Sequence, residues 1–205
     1  MVRPAIHPGE ILADELEELG LSATAFASEL HVPTNRITQI LKGYRGIVLA
    51  RRRVDAYWPV LLWSATLLMI NVQSWWAMFA MRNVRVWTFA GFAVVLAQTI
   101  VQYMLSAIVL PDFFGDERVD LREHYFAHRH WFFGLAILVL LVSLSKEVVL
   151  YGYFDSLADV GFQCTFIVLS LIALFTHVEW YHKFAALIAA ALYAAYIVLL
   201  FAKLH

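Results

Sequence analysis

The sequence is poor in charged residues and nearly free of cysteine. Only 15% of its 205 residues are charged, against about 25% in an average soluble domain. The one cysteine, Cys164, excludes an internal disulfide framework and a cysteine-based zinc site. A formal net charge of −1 excludes a generally basic surface that would coat nucleic acid.

Apolar side chains are present in excess. Hydrophobic residues make up 62% of the chain, where about 45–50% is usual. A domain of this size has too little interior to bury them all, which excludes both a disordered chain and a purely soluble fold. The aromatic content of 15% suits the aromatic belts of membrane proteins.

The apolar residues are concentrated after residue 56. Residues 1–47 carry many charges and apolar positions at helical spacing, so we predict a small soluble domain there. Residues 48–56 form a basic linker with three consecutive arginines, and residues 57–205 form an integral membrane domain. Because Glu10 and neighbouring acids stand where a signal peptide needs an apolar core, we expect no signal peptide.

The membrane domain contains five stretches that are long enough to span a bilayer. About 20 apolar residues cross about 30 Å of hydrocarbon as a helix, and backbone groups in lipid need internal partners, which favours a helical bundle. We interpret Lys146 and Glu147 as interface anchors, because adjacent helix residues point in different directions. The predicted spans are residues 58–80, 86–110, 131–151, 157–176 and 184–202.

The distribution of Lys and Arg predicts the orientation. With the N-terminus in the cytoplasm, the inside flanks hold more positive charges than the outside flanks, as the positive-inside rule requires. We therefore expect a multi-pass protein of the cell inner membrane with a cytoplasmic N-terminus. The inside residues are Lys42, Arg45, Arg51, Arg52, Arg53, Arg118, Arg122, Arg129 and Lys183, against Arg82, Arg85, Lys146 and Lys203 outside.

Three short helices are predicted within residues 1–47. The first ends at Gly20, the second covers Ala23–Leu30, and the third begins at a Thr34 cap and reaches Lys42, with Gly43 as its stop. The whole chain is thus predicted to be all-α, a short N-terminal helix-turn-helix followed by a transmembrane bundle of about five helices.

The outer face of the third helix is polar and carries Asn35, Arg36, Thr38, Gln39 and Lys42. Asn and Gln pair with adenine edges, Arg pairs with guanine, and Lys pairs with phosphate, so this face suits the major groove of DNA.

Four motifs in this segment resemble the HigA-type antitoxins, which are Cro/C1-type helix-turn-helix proteins that repress their own toxin–antitoxin operons. The motifs are His7–Leu12, Gly20–Ser22, Val32–Ile40 and Gly43–Ile47. The resemblance is truncated, because such domains continue into two further helices that complete the core and the dimer. It implies DNA, a second copy of the chain and a cognate toxin as partners. The residues that it places at the DNA are Thr34, Asn35, Arg36, Thr38 and Gln39 near the bases and Lys42, Tyr44 and Arg45 at the backbone.

The membrane domain resembles uncharacterised bacterial multi-pass proteins over most of residues 51–205. The motifs that carry this resemblance are Arg51–Pro59, Gln73–Trp76 and Asp120–Phe133. No chemical activity is assigned to these motifs, so the resemblance implies no function. In such proteins another transmembrane helix usually precedes the arginines, and here the helix-turn-helix takes its place.

Titratable residues between the second and third spans suggest a weak metal site. A helix from Arg118 would place Asp120, His124 and His128 on one face, with a spacing that suits a divalent ion. We favour an interfacial helix over a metal site and predict no cofactor. His177, Glu179 and His182 occupy the other cytoplasmic loop.

Polar residues at membrane depth are interpreted as partners in hydrogen bonds between helices. They are Asn71, Gln73, Gln98 and Gln102. The sequence contains no P-loop, dinucleotide-binding or nucleophile-elbow motif, so we expect no enzyme.

Three hypotheses follow, the third of which is a metal-binding or enzymatic helical bundle. The first is a membrane-anchored, DNA-binding transcriptional regulator of the HigA type. The alternative is a transporter-like or structural multi-pass protein whose helix-turn-helix is a non-functional fusion or remnant.

Overall fold

The computed structural model describes residues 34–49, 52–81, 88–111, 118–154 and 156–201. Contacts between α-carbons divide the chain into Met1–Thr34 and Asn35–His205, and the description below concerns the second unit. The first two predicted helices lie outside the described residues. The elements are α1 Thr34–Leu49, β1 Val54–Asp55, α2 Trp58–Ala80, α3 Phe89–Ile108, β2 Val119–Asp120, α4 Leu121–Tyr151, α5 Leu157–Phe175, α6 Glu179–Tyr196 and a terminal π-helical turn Ile197–Phe201.

Five helices are long and apolar enough to cross a membrane, which confirms the prediction of an all-helical, membrane-embedded bundle. Large apolar side chains cover their outer faces, and Phe89 and Leu157 are each 86% exposed. Such an apolar exterior suits lipid and not water. The spanning segments are Trp58–Met78, Phe89–Ile108, Leu121–Tyr151, Leu157–Phe175 and Glu179–Leu199.

The helices close into a ring in which each spanning helix packs on its neighbour in the chain and α6 returns to α2. β1 and β2 pair in parallel, Val54 opposite Val119. Because α2 and α4 follow these strands directly, both helices start at the same end of the bundle. Between α2 and α4, the Trp63 ring meets the rings of Phe132 and Phe133 edge-on, at centroid distances of 5.5 and 5.8 Å.

Helix α4 differs from its prediction. The interfacial segment and the third span form one helix of 31 residues, Leu121–Tyr151, whereas a span starting at residue 131 was expected. The carboxylate of Asp120 caps it, accepting hydrogen bonds from the backbone N–H groups of Arg122 and Glu123 at 2.7 and 3.2 Å. This cap favours helix formation ten residues before the apolar run begins.

Helix α1 also differs, because it continues through Gly43 to Leu49, so the predicted stop at Gly43 is wrong. Gly43 provides space for a close helix contact instead. A Cβ atom there would lie 2.5 Å from Cδ1 of Leu110. Ile40, one turn earlier, is fully buried in the same core as Leu110. The glycine therefore lets α1 pack on the bundle.

Candidate functional site

A cavity of about 200 Å³ lies inside the bundle, and all five spanning helices contribute to its wall. Most of the lining is apolar, but several charged and amide side chains contribute to it. Pockets that combine an apolar wall with a few convergent polar groups are typical of sites for small molecules. The charged and amide residues of the lining are Gln73, Gln98, Gln102, Lys146, Glu147, Asp159 and Gln163.

The end of α4 and the start of α5 bring three charged residues together. Lys146 and Glu147 lie in the last part of α4, and Asp159 lies in the first turn of α5. All three line the cavity, and the Lys146 amine interacts electrostatically with both carboxylates. Lys146 and Glu147 thus both face the cavity between the helices, and their interpretation as interface anchors stays a prediction. The short connection between α4 and α5, which starts at a left-handed Gly152, folds α5 back so that Asp159 faces the same space.

Buried polar atoms remain without partners beside these charges. The amide N–H of Gln163 donates to Oδ2 of Asp159 at 2.9 Å. Within the described chain, Oδ1 of Asp159, Oε1 of Gln163 and the hydroxyl of Tyr193 are buried and have no hydrogen-bond partner. An unsatisfied buried polar group costs about 1–3 kcal/mol, so these atoms call for a polar partner beyond the described side chains.

Hydrogen bonds join α2 to α3 beside the cavity. The Asn71 amide of α2 donates to the hydroxyl of Ser106 in α3 at 3.1 Å. The Gln102 amide donates to the hydroxyl of Ser74 at 3.0 Å. The prediction of interhelical bonds is confirmed for Asn71 and Gln102, while Gln73 and Gln98 line the cavity.

A second polar cluster joins the start of α4 to the start of α6. The Arg122 guanidinium donates to Oε2 of Glu179 at 2.8 and 3.1 Å, and the Lys183 amine lies 2.9 Å from the other carboxylate oxygen. One turn deeper, the Tyr125 hydroxyl and Nδ1 of the fully buried His182 are 2.9 Å apart. The two loops that the sequence analysis treated separately therefore meet here.

Tyr57 completes this cluster from the start of α2. Its ring packs against the rings of Tyr125 and Phe126, at centroid distances of 5.8 and 6.3 Å. Burial, and next the negative charge of Glu179, raise the pKa of Tyr57 to about 12, while Arg122 acts in the opposite direction. Tyr57 is therefore neutral at physiological pH.

The three metal candidates do not converge on one point. Asp120 uses its carboxylate to cap α4. Nε2 of His124 lies 3.1 Å from the carbonyl oxygen of Ile108, and Nδ1 of His128 lies 2.9 Å from the carbonyl oxygen of His124. Across the described ranges, no group of three or more His, Cys, Asp or Glu residues is arranged to hold a metal ion.

The residues predicted to contact DNA lie on α1. Thr34, Asn35, Arg36, Thr38 and Gln39 belong to its first turns, and their side chains lie outside the described part. Lys42 and Arg45 are exposed, whereas Tyr44 is half-buried. The Tyr44 hydroxyl lies 2.8 Å from Oγ of Ser64 and donates to the carbonyl oxygen of Leu61 at 3.2 Å. Tyr44 therefore attaches α1 to α2 within one chain.

Arg129, predicted only as a positive charge of an inside flank, is a buried residue of the bundle. Its side chain is 5% exposed, and it lies one turn before Phe132 and Phe133, which are both buried. Two apolar aromatic residues at the i+3 and i+4 positions place Arg129 on the buried face of a helix. This spacing of aromatic residues could have predicted the burial of Arg129 from the sequence.

Comparisons with known proteins give one local similarity. No family model matches the chain, and no solved structure matches it significantly. The chain is 58% identical over 45 residues to the virulence-associated protein I of Dichelobacter nodosus. The match covers 22% of this chain, and the chain spans 42% of that relative's length. The similarity is too short to assign the whole chain to a family.

Proposed function

We propose that the chain is a transporter-like multi-pass membrane protein that binds a small cation in the cavity between its helices. The observation that carries this proposal is the convergence of Lys146, Glu147 and Asp159 in a cavity lined by all five spanning helices. Charged side chains are costly inside a membrane, and where they face a bundle interior they generally mark an ion or substrate path.

The charges and oxygen atoms favour a cation over an anion. Two carboxylates stand against one amine, and the unpartnered Oδ1 of Asp159 and Oε1 of Gln163 are both hydrogen-bond acceptors. Small hydrated or organic cations bind to carboxylate, amide and hydroxyl oxygens of this kind. Lys146 competes with the cation for the same carboxylates, because it interacts electrostatically with both.

The proposal is tested with the full chain reconstituted in liposomes. Uptake of Na⁺, K⁺, H⁺ and methylammonium is measured down an imposed gradient, against empty liposomes. Asp159→Asn keeps the shape of the side chain and removes its charge, so we expect uptake of the transported cation to fall by about tenfold or more. Lys146→Gln removes the competing amine, so we expect the apparent affinity for the cation to rise.

Glu123→Gln is the matched control, because Glu123 is an exposed acid of α4 outside the cavity lining. Its uptake should equal that of the unmodified chain. The proposal fails if liposomes with the unmodified chain take up none of the four cations faster than empty ones. It also fails if Asp159→Asn and Glu123→Gln behave alike.

A second candidate function is the membrane-anchored regulator of the HigA type, in the inner membrane with its N-terminus in the cytoplasm. The exposure of Lys42 and Arg45 on α1, and of Arg52 and Arg53 just before α2, favours it. These side chains supply positive charge for DNA phosphates at the edge of the bundle. Because Ile40, Gly43 and Tyr44 anchor α1, a bound operator would lie close to the membrane.

This second function is tested by measuring the affinity of the detergent-solubilised full chain for DNA from its own promoter region at two salt concentrations. Arg36→Ala should reduce sequence preference, by about 1–3 kcal/mol per lost base contact, and Lys42→Ala should weaken binding to all sequences equally. Arg122→Gln serves as the control. Equal affinity for promoter and unrelated DNA would exclude a specific regulator.

A further inference from the structure

Arg129 carries a buried positive charge without a carboxylate partner among the described residues. Its side chain is more than nine-tenths buried. The guanidinium Nη1 donates to the carbonyl oxygen of Phe126 at 3.3 Å. Nη2 donates to Nε2 of His130 at 2.8 Å and also to Nε2 of His177. Nε is buried and has no hydrogen-bond partner.

These contacts leave the charge uncompensated. Removing an ion from water costs several kcal/mol unless an opposite charge lies beside it. The nearest acid described at the start of α6, Glu179, is already bound to Arg122 and Lys183. Asp120, at the start of α4, caps that helix. The cluster therefore combines a positive charge, two imidazoles and an unused N–H donor, and it lacks an anion.

The position of the cluster indicates which anion can reach it. His130 and His177 are both exposed, His130 in the third turn of α4 and His177 in the α5–α6 connection. Trp131 and Trp180 are exposed to 69% and 68% on the outer surface close by. Exposed tryptophans are typical of the membrane–water interface, where lipid phosphates lie. Arg is also the side chain best suited to phosphate recognition, because its planar donors match the phosphate oxygens.

We propose that Arg129, His130 and His177 form a binding site for a phosphate group, carried by a phospholipid headgroup or by a free phosphate ion. Arg129 supplies the charge and the Nε donor. The two imidazoles accept from Arg129 at Nε2, so they carry their ring hydrogens on Nδ1, and they line the exposed side of the site. The site is separate from the cation cavity, since Arg129 and Lys146 are 17 positions apart on α4, about 26 Å along the helix axis.

The test measures thermal unfolding of the purified full chain in a neutral detergent. Three probes are titrated separately: short-chain phosphatidylglycerol, short-chain phosphatidylcholine and inorganic phosphate. A ligand that binds the folded chain raises its unfolding temperature as the concentration increases. We expect phosphatidylglycerol to raise it most. An equal rise with inorganic phosphate would also support the site and would identify free phosphate as a sufficient ligand.

Two variants locate the effect, and one serves as a control. Arg129→Gln should weaken binding of the effective probe by about tenfold or more, the loss expected for one charge-assisted contact. His177→Ala removes an exposed partner without opening the core, and it keeps the test valid if Arg129→Gln fails to fold. Arg122→Gln removes an exposed guanidinium already paired with Glu179, so its binding should be unchanged.

The proposal is overturned if no probe raises the unfolding temperature of the unmodified chain. It is also overturned if His177→Ala and Arg122→Gln bind the effective probe as tightly as the unmodified chain. Equal stabilisation by phosphatidylglycerol and phosphatidylcholine that persists in Arg129→Gln would show general detergent–lipid effects and overturn it too.

Discussion

At the scale of single residues, two buried tyrosine hydroxyls at the start of the bundle differ in their partners. The Tyr125 hydroxyl bonds to His182, whereas the Tyr57 hydroxyl is buried without a partner among the described residues. We expect Tyr125→Phe to lower the free energy of unfolding by about 1–3 kcal/mol, because Nδ1 of His182 loses its partner. Tyr57→Phe should be neutral or stabilising. Denaturation of both variants in the same detergent measures the difference.

The raised pKa of Tyr57 predicts that its contribution to the free energy of unfolding decreases at high pH. An unfolded tyrosine ionises with a pKa of about 10, while the pKa of folded Tyr57 is raised to about 12. Above pH 10 the unfolded state loses the proton first, so the contribution of Tyr57 to stability is present below pH 10 and is lost as the pH rises to 12. The stability of the unmodified chain relative to Tyr57→Phe should fall across that window. A constant difference would contradict the assigned burial.

The sequence could predict which side chains lie close together only where they belong to one helix, because their spacing then determines their positions. The predicted helix from Arg118 is confirmed for His124 and His128, whereas Asp120 lies in β2 and caps the helix, which begins at Leu121. Their partners could not be predicted, because the carbonyl that His124 meets belongs to Ile108, in another helix. Arg129 presents the same difficulty, since its partner His177 is 48 residues away.

At the scale of elements, the packing of α1 depends on one glycine. A methyl group at position 43 would lie 2.5 and 2.9 Å from Cδ1 and Cβ of Leu110, so α1 or Leu110 must move. We expect Gly43→Ala to destabilise the chain by about 1–3 kcal/mol, as overpacking does. Gly134→Ala is the matched control, because nothing lies within 4 Å of the added carbon.

Alanine at Gly134 should be neutral or stabilising by up to about 1 kcal/mol, since alanine favours helix. Thermal unfolding of the two variants measures both effects. If both substitutions change stability in the same direction and by the same amount, Gly43 does not serve the contact with Leu110.

Element boundaries could be predicted where hydropathy alone determines them. The α2 span, residues 58–80, was predicted to the residue, because an apolar run of the right length follows a charged linker. The continuity of α4 could not be predicted, since residues 121–130 are largely polar and hydropathy does not join them to the apolar run that follows. Gly43 was misinterpreted because a helix stop and a close helix contact both use glycine.

At the scale of the whole molecule, the bundle turns large apolar side chains outward and surrounds a cavity that charged and amide side chains help to line. The sequence predicted the exterior, because hydropathy is a property of each segment. It did not predict the cavity, because Lys146 and Asp159 meet only when α5 folds back on α4. The sequence therefore identified polar residues at membrane depth, but it did not predict that a single cavity between the helices brings several of them together.

The most direct test compares two neighbouring positions of α4 at nearly the same membrane depth. Ser143 lines the cavity, and Leu141 is exposed on the outer face. Each is replaced by cysteine in a Cys164→Ser background, and native membranes are treated with a small cationic thiol reagent. The account predicts that Ser143→Cys reacts and that Leu141→Cys is protected by lipid. Reaction of Leu141→Cys at the same rate as Ser143→Cys, or no reaction of Ser143→Cys, would contradict it.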